Sequence, residues 1–194
     1  MMTSNNKQLI LKYETIFAAK LASKVLFKPK LSSWMIFIPF IFIFYIQDLI
    51  KFKKGRKEFM ANYLLSHEKA LNEAEETIKE SRKPDTATLA KKSGLKGKAL
   101  EKYADLLLVL AEHYIPLLKA DGDTYSALIK AAYSNNKTNL LLFFNQLGKA
   151  EKTLNKALAP KLKKSNASAV EIIKKMEKYS EILRREDIKD IYNT

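Results

Sequence analysis

The sequence predicts an all-α protein: an N-terminal amphipathic helix, one membrane helix or re-entrant hairpin, a stalk helix and a bundle of four or five helices. Three observations carry this. Gly and Pro number only five each in 194 residues, while Ala, Leu, Lys and Glu dominate, a composition that favours helix over turn-rich β structure. Apolar residues recur at helical rather than alternating spacing along most of the chain. One block, Trp34 to Ile46, has no polar side chain at all.

Residues 1–30 read as a basic amphipathic helix lying at a membrane interface. Ile10, Leu11, Phe17, Ala18, Leu21 and Val25 share one face, with Lys12, Lys20 and Ser23 largely opposite. An ordinary helix packed on the rest of the protein has the same pattern. Lys28-Pro29-Lys30 ends it.

Residues 31–50 form the membrane segment. Twenty helical residues span roughly 30 Å, the thickness of a bilayer's hydrocarbon core. Ile36, Phe37, Ile38, Phe40, Phe42 and Phe44 are among nine Ile and Phe in its centre, which favour insertion by roughly 3 to 5 kcal/mol. Pro39 opposes this by up to about 3 kcal/mol. Trp34 and Tyr45 suit the two interfaces. A single span leads, and a hairpin with Pro39 at its apex is the rival.

Charge frames this block. Residues 1–57 hold eleven Lys and Arg against Glu14 and Asp48, so most of the net charge of +14 flanks the apolar stretch. Lys28 and Lys30 before it, and Lys51, Lys53, Lys54, Arg56 and Lys57 after it, are placed for anionic lipid. The cluster after the block lies closest to it and predicts a cytoplasmic C-terminal domain, on the inner membrane if the source is bacterial. Basic residues stand where a signal peptide would have its small-residue cleavage site, so the segment is expected to be retained.

Residues 51–82 combine this basic cluster with a stalk helix, in which Phe59, Tyr63, Ala70 and Ala74 keep helical register and the second half is acidic. Residues 83–194 form the bundle. Its expected helices cover 86–92, capped by Asp85, then 98–119 with Pro116 inside, 124–134, 138–158 and a last one from about 168. Asp121-Gly122-Asp123 is expected to turn and cap the third of these. A loop over 161–166 and a charged tail over 186–194 complete the chain.

Within 86–103, TATLAKKSGLKGKALEKY places Ala90, Gly94, Leu95, Leu100 and Tyr103 at the spacing of a small crossing residue, a turn glycine and buried positions. This resembles the helix-turn-helix pattern of many bacterial regulators. The resemblance implies DNA near Lys96, Lys98, Glu101 and Lys102, with the lysines on phosphates. The usual base readers, Arg, Asn and Gln, do not occupy these positions. A helical corner in a bundle uses the same residues.

Catalytic and metal signatures are not evident. Cysteine is absent, and neither His67 nor His113 stands in a zinc-protease or di-iron spacing. His113 is expected at the edge of an apolar face. No cofactor and no enzymatic activity are expected. The sequence-level reading is a membrane-anchored interaction or scaffold protein whose partners are a membrane with anionic lipids and another protein, with no small-molecule substrate implied; a membrane-tethered DNA-binding regulator is the alternative.

Overall fold

The computed structural model describes residues 2–25, 55–165 and 167–193, and these are helical almost throughout. Seven helices occur among them: α1 (Met2–Val25), α2 (Gly55–Glu80), α3 (Thr86–Lys91), α4 (Lys98–Lys119), α5 (Tyr125–Ala132), α6 (Lys137–Ser165) and α7 (Ala167–Asn193). The five long helices form a ring in which α1 meets α2, α2 meets α4, α4 meets α6, α6 meets α7 and α7 returns to α1. The short α3 and α5 lie against α4.

Helix α4 is the hub because it is the most apolar long helix. Leu106, Leu107, Leu110, Ala111, Tyr114, Leu117 and Leu118 are buried at i, i+3/i+4 spacing and give it faces for several neighbours at once. Fully burying a Leu of this kind contributes about 1.5–3 kcal/mol.

The apolar face of α1 is the one expected, with Ile10, Phe17, Ala18, Leu21 and Val25 buried, but it faces protein. It packs on α2, α4 and α7 rather than lying in the headgroup plane. The interfacial assignment for residues 1–30 is thereby corrected over its described part. Amphipathicity specifies an apolar neighbour, and the bundle supplies one. Likewise α2 is no free stalk: Phe59, Tyr63, Ala70, Leu71 and Ala74 are buried from its first turns onward. The bundle therefore includes α1 and α2 and does not begin at residue 83.

Helices α1 and α2 run antiparallel. Lys7 pairs with Glu75 at 2.6 Å, Glu14 with His67 at 3.0 Å, and the rings of Phe17 and Tyr63 stack at 5.9 Å. Helices α6 and α7 are antiparallel too, with Glu151 opposite Arg184 and Asn155 opposite Glu177.

The chain between α2 and α4 follows the sequence reading. Asp85 caps α3 by accepting from the Thr88 N–H at 3.0 Å, and Gly94 turns the chain at φ 72°. The cap of α5 is Thr124 rather than Asp123; its hydroxyl accepts from the Ala127 N–H at 3.1 Å. Gly122 packs so closely that a Cβ there would lie 2.8 Å from that of Ala127.

Two boundaries differ from expectation. Helix α6 continues through Pro160 to Ser165, where a loop was expected. Helix α7 runs to Asn193, because Asp187, Ile188 and Ile191 of the expected tail are buried against the bundle. Of the stripe Ile172, Met176, Tyr179 and Leu183 that the spacing predicts on α7, Met176 and Leu183 are buried and Ile172 and Tyr179 are half-buried, while Ile173 and Ser180 are buried beside them. Adjacent Ile172 and Ile173 leave its phase open in sequence, and the buried Arg184 and Asp187 decide it.

The membrane segment and its residues Trp34, Ile36, Phe37, Ile38, Pro39, Phe40, Phe42, Phe44 and Tyr45 lie outside the described residues. Among the described residues no helix is long and apolar enough to cross a membrane.

Candidate functional site

The bundle interior contains a polar centre. His67 Nδ1 lies 3.0 Å from Glu14 Oε2 and 2.8 Å from the Tyr114 hydroxyl, which in turn donates to Glu14 Oε1 at 2.8 Å. Glu14 and Tyr114 both present acceptor oxygens to Nδ1, so that nitrogen carries the proton. Burial pushes the Glu14 carboxyl up, but the adjacent His67 and the Tyr114 hydrogen bond outweigh it, and its pKa falls below the ordinary carboxylate value.

Two further pairs adjoin this triad. The buried Arg184 donates to both oxygens of the buried Glu151, at 2.8 and 2.6 Å. Burial disfavours the charged guanidinium, yet the Glu151 carboxylate prevails and the Arg184 pKa rises. His113 Nδ1 is 2.6 Å from the Tyr133 hydroxyl, and its ring stacks on Phe143 at 3.8 Å. Burial holds His113 neutral, with its pKa lowered to about 3. It is a core residue, 4% exposed, and not the boundary residue its sequence neighbours suggest.

Glu14, His67, His113, Tyr63, Tyr125 and Arg184 all line one chamber of about 10 Å³. That is room for on the order of one water, so this arrangement holds helices together and has no space for an organic substrate. Among the described residues no group of three or more His, Asp or Glu is arranged to hold a metal ion. Sequence reasoning did not find this centre, because its members stand on α1, α2, α4, α5 and α7 with no motif spacing. The one available signal was a Glu at position 14 on an otherwise apolar helix flank.

No protein-family model, curated protein or solved structure matches the chain. Functional assignment therefore rests on the chain's own geometry.

Of the residues expected to meet anionic lipid, Lys28, Lys30, Lys51, Lys53 and Lys54 lie outside the described residues. Arg56 stands in the first turn of α2, followed by the exposed Lys57. The helix-turn-helix corner has the expected interior: Ala90, Leu95 and Tyr103 are buried and Leu100 is half-buried. Lys96 and Lys98 are exposed, whereas Lys102 is paired with Asp105 at 2.7 Å. Glu101 and Asp105 share the exposed face with Lys98, so the start of α4 presents carboxylates as well as ammoniums.

The pairing of α1 with α2 has a geometric consequence at one end of the bundle. From the Phe17–Tyr63 contact, eight residues lead forward to Val25 and eight lead back to Gly55. At 1.5 Å per residue both helices travel about 12 Å in the same direction. The chain thus leaves the described bundle and re-enters it at the same end.

Proposed function

We propose that this is a membrane-attached helical interaction protein whose bundle lies on one face of the bilayer. In this reading residues 31–50 enter and leave through that same face. The antiparallel pairing of α1 and α2 carries the proposal. A single span between them would put the two helices on opposite sides of the membrane and break the Lys7–Glu75, Glu14–His67 and Phe17–Tyr63 contacts. The hairpin is therefore preferred over the span that the sequence favoured.

Lengths support it. As helical arms, 31–38 and 40–50 reach about 12 and 16 Å from the interface, roughly half the hydrocarbon thickness. Five Lys in residues 11–30 and six Lys or Arg in residues 51–70 make the basic flanks near-equal, awkward for a span, and in this reading they lie together on one side. Each Lys or Arg near an anionic surface adds about 1 kcal/mol of attraction. The positive flanks assign that side to the cytoplasm.

The test uses full-length chain in membranes with protease-sensitive tags at both termini. Tags accessible from one side only are expected; tags on opposite sides would overturn the hairpin. A second variant replaces residues 26–54 with a short Gly/Ser loop, which suffices because Val25 and Gly55 lie at the same end. It should leave the membrane fraction and keep its helical content. Deleting residues 1–57 is the wrong control, since it removes α1 from the core.

The α3–turn–α4 corner supports a second reading as a DNA-binding regulator using Lys96, Lys98 and Lys102. Duplex binding that weakens steeply with salt would favour it; no binding at low salt would sink it. The carboxylates of Glu101 and Asp105 weigh against a phosphate-facing surface.

A further inference from the structure

A cleft of about 360 Å³ opens between α1, α5 and α7, within the size range of small-molecule sites. Tyr13 and Tyr125 line it as a parallel pair, 3.7 Å between ring centroids. Ile16, 47% exposed, also lines it and offers an apolar wall. The buried Asp187 also lines the cleft and accepts from the Tyr13 hydroxyl at 2.6 Å. Its ammonium neighbour, the half-exposed Lys20, is 3.6 Å away, a long and solvent-screened pair.

The charge here runs against the rest of the molecule. Asp123, Asp187 and Asp190 line the cleft against Lys12 and Lys20, in a chain of net charge +14. A second observation is independent of these acids: the Tyr125 hydroxyl is buried and has no hydrogen-bond partner. Tyr125 lines both the cleft and the inner chamber.

We propose that this cleft binds a small organic cation, an amine with an apolar body. Its ammonium would meet the Asp187 carboxylate, displacing Lys20 into solvent, and its body would lie against Ile16 and the Tyr13–Tyr125 pair. Aromatic rings beside a carboxylate suit this class, because ring faces attract cations and the body needs apolar contact. Burial raises the Asp187 pKa, and a bound cation would favour its charged form.

The test is equilibrium dialysis of full-length chain in detergent micelles, with protein-free micelles as the blank and benzylamine, benzyl alcohol and benzoate as probes. Benzylamine should bind saturably at one site, at least about tenfold more tightly than either other probe. Asp187→Asn, which removes the charge, and Ser126→Phe, which fills the cleft from α5 and leaves Asp187 in place, should each weaken it about tenfold or more. Equal binding of benzylamine and benzyl alcohol by the unaltered chain, no saturable benzylamine binding, or unchanged affinity in both variants would each overturn the proposal.

Discussion

Glu14 Oε2 and His67 Nδ1 lie 3.0 Å apart across the α1–α2 interface, each side chain 7% exposed. The pair ties the N-terminal helix to the bundle with a buried, charge-assisted contact, and Tyr114 completes it from α4. Losing one member leaves a polar group without its partner in the interior. Glu14→Gln is expected to destabilise the chain by about 2–4 kcal/mol. In urea unfolding of detergent-solubilised protein, the double variant with His67→Gln should lose less than the two single losses added, by at least about 1 kcal/mol. Simple additivity would show that the two groups are not coupled.

Arg184 and Glu151 present a different balance. Either Arg184→Met or Glu151→Leu alone strands a buried charge and should cost about 3–5 kcal/mol. The two together replace the pair with apolar side chains and should cost less than either alone. Gly148 above Arg184 leaves slack for repacking, since a Cβ there would be 3.9 Å from its Nη1. The comparison needs only three melting curves against the unaltered chain.

His113 gives the fold a defined response to acid. Its pKa falls from 6.5 to about 3 on burial, so below 6.5 the unfolded chain takes up a proton that the folded chain does not. This contribution is fully present above pH 6.5 and is lost as pH falls toward 3, at roughly 1 kcal/mol per pH unit. Glu14, with a depressed pKa, adds a loss in the same direction at the acid end. His113→Phe, which keeps the ring stack on Phe143, should flatten the dependence of the urea midpoint between pH 6.5 and 5. An unchanged slope would remove His113 as its source.

Asn6 holds the far end of α4. Its Nδ2 lies 3.3, 3.1 and 2.7 Å from the carbonyl oxygens of Leu117, Leu118 and Ala120, where a helix end leaves acceptors unsatisfied. Two hydrogens serve three acceptors, so the contact is shared. Asn6→Ala should cost about 1–3 kcal/mol. Amide exchange should rise around Leu117 to Ala120 more than around Leu106.

Much of the helix pattern was legible in sequence. The apolar face of α1, the Asp85 cap, the Gly94 turn and the span of α4 all follow from local rules acting within a few residues. The Pro160 boundary was not legible, because proline's local penalty suggests an end there while α6 runs on to Ser165 behind the buried Leu154 and Leu158. The polar centre was not legible, since hydrogen-bond partners such as Glu14 and Tyr114 are set by which helices meet and in which direction.

The sequence by itself determined that the chain is helical, that its excess positive charge flanks one apolar block, and which face of α1 seeks an apolar surface. Spacing and composition suffice for these because each is a property of a short segment. Only the tertiary structure decided that the surface α1 seeks is the bundle, and that α1 and α2 run antiparallel so the chain leaves and returns at one end. Those outcomes depend on contacts between residues far apart in the chain, such as Lys7 with Glu75, and helical periodicity has no access to them.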